Sequence, residues 1–254
     1  MWKRLAVLAS LTLCSPAFAG PGIDLSANGI CPGISGASGD GGALDCAALA
    51  KAGDFVSLIG TFMTAEDIPD LDGLGWSYID IDIMGDFADN GAFWVDYDGS
   101  CLAQNGGTIR ILYAKPTLPG RCGNSLQIRD LWDVGLHVMP IPTSDHHATL
   151  AFTTGGRGGT GYSVTTSQRI FGFELRFDPT FSAEAGGPCG SCKVPTCFTW
   201  TSATLDVGAS HTITTPLTGP TGLPGVSNVA FFNAGCGAVP TRARTWGQLK
   251  SLYR

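Results

Sequence analysis

"WSYIDIDIMG", from Trp76 to Gly85, alternates Ile79, Ile81 and Ile83 with Asp80 and Asp82. Side chains two apart in an extended chain point the same way, so this period sets the isoleucines on a buried face and the aspartates on a wet one. The same reading extends outward along the chain. "DFVSLIGTFM" (Asp54 to Met63) is a short apolar, β-branched run suited to a buried strand. "AFWVDYDG" (Ala92 to Gly99), "TIRILYA" (Thr108 to Ala114), "LWDVGLHVM" (Leu131 to Met139) and "ATLAFTT" (Ala148 to Thr154) read likewise. So do "YSVTTSQRIFGFELRF" (Tyr162 to Phe177), "CFTWTSATLDV" (Cys197 to Val207), "SHTITTPL" (Ser210 to Leu217) and "VSNVAFF" (Val226 to Phe232). Nearly all are separated by Gly, Pro, Asn or Asp. With 36 glycines and only 14% charged residues, the chain favours turns and short strands over long amphipathic helices. About ten strands at this spacing, with no repeat or long linker, predict an all-β chain: a β-sandwich, of jelly-roll type, filling residues 20–240 as one domain.

The beginning of the chain has a different logic. "MWKRLAVLASLTLCSPAFAG" carries Lys3 and Arg4, an apolar run to about Cys14 and the small-residue pattern Ala17-Phe18-Ala19. That layout predicts a signal peptide over residues 1–19, and with it a secreted protein, whether periplasmic, extracellular or on the cell surface. A lipoprotein reading at Cys14 is disfavoured because Leu13 is not small. No later stretch is apolar for long enough to cross a membrane as a helix.

Loss of the leader removes Cys14 and leaves Cys31, Cys46, Cys101, Cys122, Cys189, Cys192, Cys197 and Cys236. An even set in an exported chain reads as a disulfide framework. Spacing favours local closure: Cys31 with Cys46, Cys101 with Cys122, and the last four among themselves. "CGSC" (Cys189 to Cys192) has two sharper readings. As a redox pair it lacks the helix whose N-terminus lowers the thiol pKa, because Pro188 precedes it and Lys193-Val194-Pro195 follows. As a zinc site with Cys197 and Cys236 it lacks the second close pair of a zinc ribbon. The pattern points to staples.

The net charge of −6 excludes a nucleic-acid partner held through phosphates, and removal of Lys3 and Arg4 makes it more negative. Its distribution is uneven: Gly20 to Ser100 holds 14 acids and one base, Lys51, whereas Cys101 onward holds 7 acids and 12 bases. Two solvated faces that attract each other within one fold explain this asymmetry, and an acidic surface for Ca²⁺ or a basic partner is the alternative. Asp80, Asp82, Asp86 and Asp89 are the candidate Ca²⁺ ligands, with Asp96 and Asp98 following, since Ca²⁺ takes six to eight hard oxygens. "DFADNG" is not an EF-hand loop, however, and no other cofactor is indicated.

The remaining motifs carry less chemistry. "SDHH" (Ser144 to His147) is the densest polar cluster, and Pro140, Pro142 and Ser144 suggest a loop. Adjacent histidines on a strand would point to opposite faces and could not share a metal. Gly156, Gly158 and Gly161 match G-x-G-x-x-G by count, but the strand pattern that follows offers no helix to receive a pyrophosphate. Trp76, Tyr78, Trp94, Tyr97, Trp132 and Trp200 are mostly core candidates, a minority being available as a platform for sugar rings.

Residues 241–254 form the exception to the strand pattern. Thr245 and Gln248 have capping-box spacing, and Trp246, Leu249 and Tyr253 fall on one face of a short C-terminal α-helix. Such a helix is marginal alone and must dock its apolar face. It is read either as a cover for an open end of the sandwich or as an export, assembly or partner-binding tag.

The ending "TWGQLKSLYR", with "GIDLSANGICPG", "LDC", "AFWVDYDGSC" and "CGSCKVPTCF", resembles a group of secreted bacterial proteins with a TWGxxKxLYR-type C-terminus. The resemblance touches most of the chain after the leader, and it implies an architecture similar to cohesin-like or carbohydrate-binding sandwiches. The functional expectation is a secreted or cell-surface, non-enzymatic module that binds glycan or another surface protein, or builds a surface structure. The alternative is a secreted polysaccharide hydrolase with its acids among Asp80, Asp82, Asp96 and Asp98, although a carboxylate pair on a surface strand is a weak signature.

Overall fold

In a computed structural model of the chain, the described residues are 20–27, 29–34, 37–67, 76–85, 93–95, 100–107, 109–112, 132–144, 147–156, 165–207, 212–213, 217–222, 226–233 and 236. The leader (1–19), Asp86, Asp89, Asp96, Asp98, Cys122 and the terminal segment that holds Trp246, Leu249 and Tyr253 lie outside them.

Among the described residues the regular structure is mostly strand, in two antiparallel sheets. The first contains β1 (Gly22–Ser26), β2 (Val56–Met63), β4 (Arg110–Leu112) and β7 (Ile170–Phe177), in the order β1-β2-β7-β4. The second contains β3 (Trp76–Met84), β5 (Trp132–Ser144), β6 (His147–Gly156), β8 (Thr196–Val207) and β10 (Val229–Phe232), in the order β10-β8-β3-β6-β5, with β9 (Thr212–Ile213) added to β8. Two short helices, α1 (Cys46–Ala52) and α2 (Cys101–Gln104), lie between strands.

The alternation of β3 works as its sequence implies. Ile79, Ile81 and Ile83 are buried, while Asp80 and Asp82 stay half-buried on the other face. The isoleucines share one apolar core with Leu58, Phe62, Phe173 and Leu175 of the first sheet and Phe198 and Trp200 of the second. The sheets meet across that core: the rings of Phe173 and Trp200 pack edge to face with centroids 4.8 Å apart, and Phe177 lies 5.7 Å from Phe198. Gly60 makes the first contact achievable, because a Cβ there would stand 2.4 Å from the Phe173 ring. Opposite it the ladder is bulged: Gly60 faces Phe173 and Thr61 faces Phe171, so Gly172 is the extra residue and also lies toward the core.

Three expectations are corrected. Phe93, Trp94 and Val95, read as part of a strand, are a turn instead; all three are buried, and Trp94 stacks on Phe232 at 5.2 Å, so the apolar run plugs the core without pairing. Pro140 and Pro142, read as loop, belong to β5, which runs on to Ser144 as the outer strand of its sheet. An edge strand tolerates the missing amide hydrogens of proline, and the ladder with β6 breaks register between Val138 and Ile141 and again between Pro142 and Ser144. Residues 165–169, read as strand, form a turn before β7 begins at Ile170.

The strand-dominated sequence pattern does not signal α1 or α2, and each is started by a side-chain cap. Asp45 accepts from the Ala48 amide at 3.0 Å and Ser100 from the Ala103 amide at 3.3 Å. Helix α1 stops at Gly53, whose φ of 72° is the left-handed conformation that favours glycine.

Candidate functional site

The disulfides are where sequence spacing and structure part. Cys46 pairs with Cys192, Cys101 with Cys189 and Cys197 with Cys236, at Cα separations of 6.5, 5.5 and 5.2 Å. The expected Cys31–Cys46 and Cys101–Cys122 closures are therefore overturned. Cys31 is disulfide-bonded too, but Cys46 is not its partner. The physical reason is that α1 and α2 each present their first residue to the 189–192 loop, so neighbours in space replaced neighbours in sequence. "CGSC" is neither a redox couple nor a metal site: its two cysteines fasten two different helices.

That loop is also held by a carboxylate. Ser182 donates to Glu184 Oε2 at 2.5 Å, Ser191 donates to Oε1, and the Cys192 amide donates to Oε2 at 3.1 Å. Burial alone would raise the Glu184 pKa, but these donors outweigh it and hold the group down at about 2. A depressed carboxylate contributes stability that is fully present above its unfolded pKa, near 4.5, and is lost as pH falls toward 2. Glu184→Gln is expected to lower stability at pH 7 by about 1 kcal/mol, less than a buried charged hydrogen bond contributes because the group is half exposed and screened. Thermal melts should show the difference shrinking through that acid window and vanishing near pH 2; a pH-independent difference would refute the assignment.

A second polar knot lies on the outer side of the first sheet, and no local pattern signals it. Arg169 Nη1 stands 2.9 Å from Asp24 Oδ2, with the two side chains 6% and 0% exposed. Arg169 also donates to the Pro32 carbonyl and to Thr61 Oγ1, while the Thr221 amide and hydroxyl donate to Asp24. Gly33, at φ +83°, lies against the guanidinium, where a Cβ would come within 3.1 Å of Cζ. Burial pulls the Arg169 pKa below its ordinary value and Asp24 opposes that fall. The group joins β1, β2, the start of β7 and the 217–222 loop. Enclosed in this way, it is a structural clasp.

The candidate binding surface is the outer face of the second sheet, where the structure places Asp80 and Asp82. Asp80 accepts from the Ser202 hydroxyl at 2.8 Å. Asp82 faces Thr149 across the ladder, accepts from its hydroxyl at 3.4 Å and has His147 Nε2 3.8 Å away. The Asp82 and His147 side chains are 36% and 38% exposed. With Thr199 and Thr201 beside them, these groups form a broad polar face of carboxylates, hydroxyls and one imidazole, all half-buried. Among the described residues, no group of three His, Cys, Asp or Glu converges as metal ligands, and Asp86 and Asp89 lie outside them. Of the aromatic candidates, Trp94 and Trp200 are core residues, 1% and 0% exposed; the side chains of Trp76, Tyr78, Tyr97 and Trp132 lie outside the described residues. His146, Gly158 and Gly161 do too.

No helix among the described residues is long and apolar enough to cross a membrane. Compared with models of protein families, with curated proteins and with solved structures, the chain gives no match.

Proposed function

We propose that the protein is an exported, non-enzymatic β-sandwich, of jelly-roll or cohesin-like type, that works outside the cytoplasm as a glycan-binding module. The observation that carries this reading is the outer face of the second sheet. There Asp82 stands half exposed between a Thr149 hydroxyl and the His147 imidazole, and Asp80 stands two residues along the same strand. Sugar hydroxyls pair with such alternating carboxylate acceptors and hydroxyl donors. The cross-links support the location. Three disulfides spanning 146, 88 and 39 residues belong to a compartment that oxidises thiols.

A glycan array tests the proposal. Saturable binding is expected, weakened about tenfold or more by Asp80→Ala with Asp82→Ala, since each lost charged hydrogen bond removes about 1.5 kcal/mol or more. No binding to any glycan, with capture of a protein ligand through the same face, would replace glycan by protein as the partner class. Turnover of chromogenic glycosides, abolished by Asp82→Asn, would overturn the non-enzymatic reading.

A further inference from the structure

A second surface has no part in that reading. Strand β1 stops at Ser26, opposite Ile59, so Val56–Leu58 of β2 extend past it. The gap opens as a cleft of about 270 Å³ whose walls include Ile30, Leu44, Leu49, Phe55 and Phe232, with Asp54 at its edge. Four of these apolar side chains, Ile30, Leu44, Leu49 and Phe55, are only half-buried. One polar wall atom lacks a partner. Ser57 is 6% exposed, yet among the described residues its hydroxyl has no hydrogen-bond partner. A cleft that mixes apolar side chains with polar groups, one of them an unpaired hydroxyl in its wall, suits a side chain that is apolar in body and polar at one tip.

The geometry points to an occupant within the chain: the C-terminal segment 241–254, seating the Trp246 indole in this cleft with its N–H toward Ser57. Three observations converge. First, the chain passes the cleft shortly before Cys236, the last described residue. Phe232 is part of its wall, and the next residue, Asn233, accepts from the amide of Leu44, another wall residue, at 2.9 Å. Nine residues separate Cys236 from Trp246, enough to span about 30 Å when extended, so the segment reaches the cleft easily. Second, charges are complementary. Asp54 lies in the lining, Asp40 and Asp45 adjoin the lining residues Gly41 and Leu44, and among the described residues the lining holds no cation. The segment carries Arg242, Arg244, Lys250 and Arg254 and no acid. Third, the spacing of Trp246, Leu249 and Tyr253 makes an apolar helical face that is too short to be stable without a dock. Tethering makes the encounter intramolecular, so a modest contact suffices.

Trypsin provides the test, because Arg244 and Lys250 flank the anchor. In the full-length protein after leader removal, cleavage at these two residues is expected to be about tenfold slower than in a synthetic peptide of residues 239–254, at every protein concentration. Trp246→Ala should abolish the protection, each variant being compared with a peptide that carries the same change. Ser57→Ala combined with Asp54→Lys should do the same while leaving the tail sequence intact. Equal rates in protein and peptide would overturn the proposal. Protection that survives the Ser57/Asp54 pair would move the dock elsewhere, and protection that grows with protein concentration would assign the cleft to the tail of a second copy. Glycan binding is read independently, so failure here leaves that reading untouched.

Discussion

Asp24→Ala is expected to lower the free energy of unfolding by about 3–5 kcal/mol, because it strands a buried cation. Arg169 would keep its contacts to Pro32 and Thr61 but lose the carboxylate 2.9 Å away, in a site where only 6% of its side chain reaches solvent. Thr221 would lose an acceptor for both its amide and its hydroxyl. Removing both charges is a different experiment. Asp24→Leu with Arg169→Met eliminates the uncompensated ion, and urea titrations should show the double variant recovering much of the single variant's loss. A double variant as unstable as the sum of the singles would mean that Asp24 and Arg169 act separately and that the clasp is not a unit.

The second large effect concerns Cys46 and Cys192. Replacing both by serine is expected to cost about 4 kcal/mol, with loss of the cooperative melt near body temperature as the extreme outcome. The value follows from nesting. The Cys101–Cys189 bridge lies inside the Cys46–Cys192 bridge, so with the inner one closed the outer constrains only the Cys46–Cys101 and Cys189–Cys192 stretches. Chain entropy is not the only contribution, since Cys46 and Cys192 are both 0% exposed and belong to the main core. Denaturant midpoints with and without reductant measure the cost. A loss below about 1 kcal/mol would show that packing alone holds α1 against the 189–192 loop.

How far the sequence discloses these features depends on the range of the interaction that makes them. Strand β3 is legible because its signal is local: alternating Ile and Asp state both the strand and its buried face. Strand β2 is legible for the same reason. Strand β1 is not, because "GIDLS" is short and its polar residues are buried as thoroughly as its apolar ones, Asp24 by a partner far along the chain. Phe93 to Val95 mislead because burial and strand pairing leave the same apolar trace, and only the fold separates a plug from a ladder. Pro140 and Pro142 mislead because their meaning depends on whether the strand is central or at an edge, which no local window contains.

The candidate site divides along the same line. Asp80 and Asp82 could be placed on one wet face from their spacing, whereas Thr149, His147 and Ser202 join them only through the β3–β6 and β3–β8 registers. The Glu184 knot was invisible for another reason. Its donors are hydroxyls within a few residues, but "FSAEAGGPCGSC" gives no hint that the loop turns back on itself. For the disulfides, proximity in sequence is a poor guide once a sheet order such as β1-β2-β7-β4 interleaves early and late strands.

That interleaving bears on how the molecule is manufactured. A polypeptide threaded from its N-terminus exposes Cys46 first, then Cys101, while Cys189 and Cys192 arrive only after most of the chain has emerged. An oxidant acting on the nascent thread joins whichever thiols are present, and those first available are Cys31, Cys46 and Cys101, no native pair among Cys46 and Cys101 being closable at that stage. Where such a wrong bridge forms, reaching the mature linkage requires thiol–disulfide exchange. A producing host limited in disulfide isomerase is therefore expected to accumulate mispaired chains, which non-reducing mass mapping of the bridges would show.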